Sequence, residues 1–218
     1  DTSYNFKNLL SNLNNLNGWW SRVYAGSTNK KTDTSIGNNG YDDDYYGLVI
    51  GKDVNTGRKT SGLILSLQEG NIQSDRDEGR TDYTSFSLTP YFSNLMSNGS
   101  TYSLHSSLQL IEIDSDRYLR FGSINRVASS DYTNINLSTT IDYSLKPIEF
   151  QKVIMNSSIF STYSFSHQDS FEESGANSLN LEVESDNYHS ISLGFSQTFI
   201  PNVDYIYQPF VELSAAYN

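Results

Sequence analysis

The sequence predicts an all-β protein: an antiparallel, up-and-down transmembrane β-barrel preceded by one helix. Three observations carry this. Apolar and polar residues alternate with a period of two along most of the 218-residue chain. The alternating runs last roughly nine to twelve residues, the length that crosses a bilayer at a tilt, where ordinary strands average about five or six. Long and short connections alternate between them, which gathers the long ones at one end of the sheet. Composition agrees, with 16 Tyr, 11 Phe and 13% aromatic residues, suited to strands rather than helices. A mean hydropathy of −0.50 fits a soluble sandwich and a barrel alike, because every second residue of a barrel strand faces a polar interior.

The first segment is the exception to period two. YNFKNLLSNLNNLNG spaces Phe6, Leu9, Leu10, Leu13 and Leu16 by three and four, a helical stripe that Gly18 stops. Its other face is Asn and Ser. A helix threading a polar lumen tolerates that face, and an ordinary helix packed on a sheet explains the stripe equally well. From Trp19 onward the alternation begins. Phe86, Leu88 and Phe92 share a face, as do Tyr102, Leu104, Leu108 and Leu110. The same holds for Ile135, Leu137, Ile141, Tyr143 and Leu145, then for Ile191, Leu193, Phe195 and Phe199, and last for Tyr205, Tyr207, Val211, Leu213 and Tyr217. Trp19, Trp20, Tyr45, Tyr46, Tyr91, Tyr205 and Tyr207 stand near run ends, where interface girdles belong. The long connections are read at Ser27–Asp44, around SDRDEG, around SDRYLRFGSINR and at FEESGANSLNLEVES. The short ones are DVNTGRKT, SNLMSNGS, LKPIEF and IPNVD. The division is one domain, 19–218, with a lead-in over 1–18.

Charge and chemistry exclude several classes. A net charge of −11 gives no means of neutralising a row of phosphates, so nucleic acid is not a partner. With no Cys there is no disulfide, thiolate nucleophile or Cys-ligated metal. No signal peptide is visible in the sequence, which starts at Asp1 and reads as a mature or excised piece. Glu172-Glu173 is a carboxylate pair in search of a partner for acid–base work. The Asp42–Asp44 run and SDRDEG lack the alternating ligands and closing Glu of a Ca²⁺ loop. His105, His167 and His189 do not have metal-ligand spacing and are read as lumen or rim residues. No catalytic, cofactor or metal site is assigned. Arg22, on the polar face of the first strand, is a lumen contact for a carboxylate such as Asp142 or for the helix.

WWSRVYAG followed by GYDDDYYGLVIGKDV resembles the opening two strands of the autotransporter β-domain of Gram-negative type V secretion. FEESGANSLNLEVESDNYHSISLGF resembles that family's Phe-x-Glu-x-Gly-Ala segment and the strand after it. The resemblance runs in order from about Trp19 to Asn218. It implies a twelve-stranded outer-membrane barrel whose lumen holds a helix leading to an N-terminal passenger. The implied partners are the bilayer, the passenger and the outer-membrane assembly machinery. Some members cleave the passenger at an Asn-Asn pair in that helix; Asn14-Asn15 resembles the pair, although the segment is Asn-rich throughout and lies close to the first strand. About nine strands are legible, so the sequence reads as lacking its last strands or as capped by something else at Tyr217-Asn218. The expected function is non-enzymatic anchoring and translocation of a passenger. Its rivals are an adhesin or pore acting through its own acidic outer loops, and a soluble secreted all-β binding module.

Overall fold

A computed structural model describes residues 18–32, 39–75, 78–150, 153–201 and 211–217, the last strand by its backbone alone. Nine strands follow one another in a single antiparallel sheet. They are β1 (Gly18–Lys30), β2 (Tyr41–Thr56), β3 (Lys59–Ser74), β4 (Gly79–Leu95), β5 (Thr101–Phe121), β6 (Ile124–Ser144), β8 (Val153–Gln168), β11 (Asp186–Pro201) and β12 (Val211–Tyr217). A short β7 (Ile148–Phe150) pairs back onto β8, and β9 (Phe171–Glu172) pairs β10 (Glu182–Val183). Among the described residues no ladder joins β1 to β12. The nine strands and their up-and-down order match the reading of the sequence. The lead-in over 1–18 and the Tyr205–Tyr207 stretch lie outside the described residues, apart from Gly18.

The register shows which side chains share a face. Ile50, Leu65, Leu88, Leu108, Leu137 and Phe165 lie in one row across six strands. These and their neighbours make one face apolar, and it is the exposed one: Leu108 is 44% exposed, Ile141 58% and Leu193 59%. The opposite face carries the buried strand residues, polar ones such as Asp53, Ser85, Thr89, Thr140, Ser158 and Ser196 prominent among them. A water-soluble sheet buries its apolar face. This one is turned inside out, the distribution a hydrocarbon surround stabilises. The apolar band on β5 runs from Leu110 to Tyr102, about nine residues, enough to cross a bilayer at a tilt. Two hydroxyls within the band, Ser106 and Thr139, satisfy each other at 2.9 Å.

The inner face packs by an aromatic–glycine rule. Gly26, Gly47, Gly51, Gly62, Gly70 and Gly194 stand directly opposite Tyr45, Tyr24, Trp20, Tyr91, Tyr83 and Phe160. At each, a Cβ would come within 2.1–2.6 Å of the ring, so a side chain there would displace the ring. At these six positions the inward ring thus lies flat over a neighbouring strand that has nothing to obstruct it.

Two expectations change. Trp19 and Trp20, or Tyr45 and Tyr46, cannot both belong to a girdle, because successive residues of a strand point to opposite faces. Trp19 lies outward with the Lys52 ammonium 5.3 Å from its ring, and Tyr46 lies outward, donating to Glu69. Trp20, Tyr45 and Tyr91 point inward. Three of the four long connections are also mostly strand. The segment around SDRYLRFGSINR is a 21-residue β5 and a 21-residue β6 meeting at Gly122-Ser123. Asp75–Glu78 is all that separates β3 from β4, and β1 and β2 stay paired from Gly18↔Asp53 to Lys30↔Tyr41. Beyond the band both faces meet water and the apolar alternation stops, yet the backbone ladder continues. The long excursions do share one end of the sheet, as expected.

Leu137 and Ser138 test this inside-out assignment, being neighbours on opposite faces. L137R is expected to cost about 2–4 kcal/mol of folding stability in bilayers, and S138R distinctly less. Reversible denaturant unfolding in liposomes measures both, and equal costs would sink the assignment.

Candidate functional site

A lumen-like surface is built from every second residue of β1–β8. Its chemistry is amides, hydroxyls and phenols in continuous contact. The Tyr24 hydroxyl donates to Gln68 at 2.9 Å, the Gln68 amide to the Tyr83 oxygen at 3.0 Å, and the Tyr83 hydroxyl to Asp43 at 3.3 Å. Further along, Ser166 donates to Asn136, Asn136 to Gln109, and Gln109 to Ser85, crossing four strands. The partners lie one or two strands away, directly across or on the diagonal, a chain of bonds that holds the interior polar and rigid.

At the turn end of β1–β4 this surface changes character. Val49, Ile64 and Tyr91 form a small buried cluster with Trp20 and Tyr24 packed on it. Beside it Asp53 is 1% exposed. Its Oδ1 accepts from Trp20 Nε1 at 3.0 Å and from the Tyr91 hydroxyl. Its Oδ2 is buried without a hydrogen-bond partner among the described residues.

At the opposite end the FEESGANSLNLEVES segment turns out to be a built structure. β6 is paired with β8 only from Asn134 to Ser144, so its upper edge is bare. The segment covers it. Asp169 N donates to Thr133 O, and Ser129 and Ser174 exchange backbone hydrogen bonds at 2.9 and 2.8 Å. Phe171 stacks on Tyr132, ring centroids 4.4 Å apart. Arg117, on the inward face of β5, grips Glu173 with two hydrogen bonds, Nε to Oε1 at 2.9 Å and Nη2 to Oε2 at 2.5 Å, and also donates to Leu179 O. Glu173 takes a further bond from Leu181 N at 2.8 Å, and Arg126 donates to Ala176 O. Ala176 is fully buried, and Gly175 (φ +93°) brings its backbone where a Cβ would meet Val127 O at 2.6 Å. Small residues are therefore required at both positions. The Arg117 bonds hold the Glu173 carboxyl below the usual carboxylate range, against the upward push of burial.

The residues singled out from sequence are dispersed by this geometry. Glu172 and Glu173 are not a catalytic pair: Glu173 is sequestered by Arg117, while Glu172 is exposed and paired only by backbone to Glu182. Asp42 and Asp44 face outward and Asp43 inward, so the run is not one site. Asp75 accepts from Thr32 Oγ1 and Glu78 from Asn39, tying loop to loop. His105 faces inward, and His167 and His189 outward, where they bond Asn187 and Tyr163. No group of three or more potential metal ligands occurs among the described residues. Arg22 and Asp142 share the inner face, on β1 and β6, with four strands between them; Asp142 accepts from Ser144 at 2.8 Å. Asn14 and Asn15 lie outside the described residues. The sequence reading missed Asp53, Arg117 and the role of Glu173. A charge at an inward position of an otherwise apolar run (LVIGKDV) was the available signal for the first. The latch partners are 56 residues apart, and nothing local connects them.

An exposed apolar band, a polar hydrogen-bonded interior and an antiparallel up-and-down sheet define a transmembrane β-barrel protein. No helix among the described residues is long and apolar enough to cross a membrane, so the strands are the crossing elements. Sequence comparison narrows the class. The autotransporter β-domain family model matches residues 19–218, and the chain belongs to that family of Gram-negative outer-membrane barrels of type V secretion. No curated protein sequence matches significantly. Among solved structures the chain is similar to the translocator domain of autotransporter NalP from Neisseria meningitidis, with TM-score 0.73, 13% identity, and coverage of 100% of this chain and 75% of that one. It is also similar to the β-domain of the Bordetella autotransporter BrkA, with TM-score 0.61, 12% identity, and coverage of 92% and 79%. At such identities the likeness is one of fold.

Glu173→Gln is expected to weaken the latch by about 1.5–3 kcal/mol, the usual worth of hydrogen bonds to charged groups, seen as faster protease cutting within 169–185 of the folded barrel. Because the folded pKa of Glu173 is depressed, its contribution is present above the unfolded value and is lost as pH falls through the folded one. The cutting rate of the parent chain should therefore rise as pH falls below the usual carboxylate range, with Glu173→Gln insensitive to that change.

Proposed function

We propose that this chain anchors and translocates an N-terminal passenger to the cell surface without enzymatic chemistry. The inside-out sheet carries the reading, since its apolar exterior and bonded polar interior are what a conduit through a bilayer requires. Residues 19–218 form the barrel, and residues 1–18 run through its lumen as plug and tether. The latched β5–β6 end faces outside, and the outer-membrane assembly machinery inserts the sheet. Arg22 and Asp142 act as polar contacts for whatever passes along the inner face. Asn14-Asn15 is the position at which release of a passenger would leave the tether in the barrel.

An epitope fused ahead of Asp1, in intact Gram-negative cells producing the chain, tests this. Added protease should remove the epitope while a heat-modifiable barrel survives. Retention of the epitope on cells whose barrel is folded would overturn the translocator reading. Extraction of the chain without detergent would favour the soluble binding module instead. Substitution of Arg22 by Ala is expected to reduce surface display severalfold without loss of heat-modifiability.

A further inference from the structure

We infer that the barrel thins the bilayer along β1–β3, where its lipid-facing wall is about half as tall as on β8 and β11. The surface that does this is the short apolar wall of Leu48, Ile50, Leu63, Leu65 and Leu67. Its partner is a bilayer drawn in to meet it. The inference rests on the transmembrane class of the sheet and not on the passage of a passenger.

The first ground is where the outward charges stand. Tyr46 and Glu69 are register partners, as are Trp19 and Lys52. Glu69 accepts from the Tyr46 hydroxyl, and the Lys52 ammonium lies 5.3 Å from the Trp19 ring. Each charge is therefore held at the height of its own row and does not reach along the strand toward water. That excludes the usual remedy for a short wall, a long side chain that snorkels away from it. On β2 the two rows are six residues apart, about 20 Å of strand at about 3.4 Å per residue. Tilted as barrel strands are, the rows lie about 15 Å apart across the membrane. β3 agrees: between Glu69 and Ser61 its outward residues are Leu67, Leu65 and Leu63.

The second ground is the other flank. In β8 the stretch Val153–Phe165 holds no charged residue, and in β11 neither does Ile191–Pro201. Phe165, Tyr163, Ile159, Met155 and Val153 share the outward side of β8. Ser157 on that side donates to its register partner Gln197 at 2.6 Å. From Phe165 to Val153 is about 41 Å of strand, and about 30 Å across the membrane once tilted. That matches the hydrocarbon core. Strand stagger shifts where each wall begins and leaves its height unchanged.

The third ground is which partner yields. A core of ordinary thickness would bury the Lys52 and Glu69 rows in hydrocarbon, and a charge taken from water is expensive. Thinning a bilayer costs only modestly for each ångström of mismatch. The sheet is stiff and the lipid soft, so the lipid deforms.

The chain has no cysteine, so one introduced thiol carries one nitroxide. L65C reports the middle of the short wall and I159C the middle of the tall one. The measurement is collision with a water-soluble nickel chelate, read by EPR on the full chain folded in liposomes of 18-carbon lipid. Collisions should be at least about threefold more frequent at L65C than at I159C, because head groups and water come closer to the shorter wall. K52L/E69L extends that wall past both rows and should bring L65C down to the I159C value. Equal collision rates in the parent would overturn the thinning while leaving the strands in the membrane. A difference that K52L/E69L leaves unchanged would overturn it too, since the charged rows would not be its cause. Dipolar broadening at L65C would put a second copy against this wall in place of thinned lipid. Free access of the chelate to both sites would overturn the transmembrane class itself. If the nitroxide at residue 65 costs heat-modifiable mobility, I50C, in the same row, carries the test.

Discussion

Everything in this structure depends on the demand that a backbone in hydrocarbon satisfy its own N–H and C=O groups. A long antiparallel ladder meets that demand, and the pleat then dictates the rest. Once β3 is paired to β2 and β4, Leu63, Leu65 and Leu67 must face one way and Ile64, Ser66 and Gln68 the other. A slip of one residue would put amides in lipid and leucines in the interior. The register is thus held by a penalty on every strand at once.

Within that frame the interior solves a packing problem with few apolar side chains. Aromatic rings supply bulk, and the glycine opposite Trp20, Tyr24, Tyr45, Tyr83, Tyr91 and Phe160 supplies the room to lie flat. The phenol and indole tips then reach Gln68, Asp43 and Asp53. Ring packing and polar bonding come from the same residues, which leaves an interior both rigid and hydrophilic. The exterior handles its ends in the same economical way, with Trp19 and Lys52 at one rim and Tyr46 and Glu69 at the other.

The bare upper edge of β6 is the exception to closure by strands. A long unpaired edge templates association with other chains. Here it is covered by the chain itself, through the Ser129–Ser174 bridge, the Phe171–Tyr132 stack and the Arg117–Glu173 ion pair. The acidic, Asn-rich segment is therefore neither a metal loop nor an acid–base pair. It is a clasp that keeps the projecting β5–β6 hairpin from presenting its edge to solvent.

Sequence by itself determined the crossing strands, their number and which residues of each face lipid. Alternation is a property of neighbours in the chain, and leucines at every second position have one stable arrangement in a bilayer. It also carried the family, through WWSRVYAG and the Phe-x-Glu-x-Gly-Ala segment. It did not separate Trp19 from Trp20 in role until the pleat was applied, nor show that SDRYLRFGSINR is strand, because a ladder in water needs no apolar signature. Tertiary structure decided the rest: that Glu173 belongs to Arg117, that a glycine faces six of the inward rings, and that Asp53 is buried with one oxygen unmet. Those facts join residues tens of positions apart, and only the sheet's register brings them within reach.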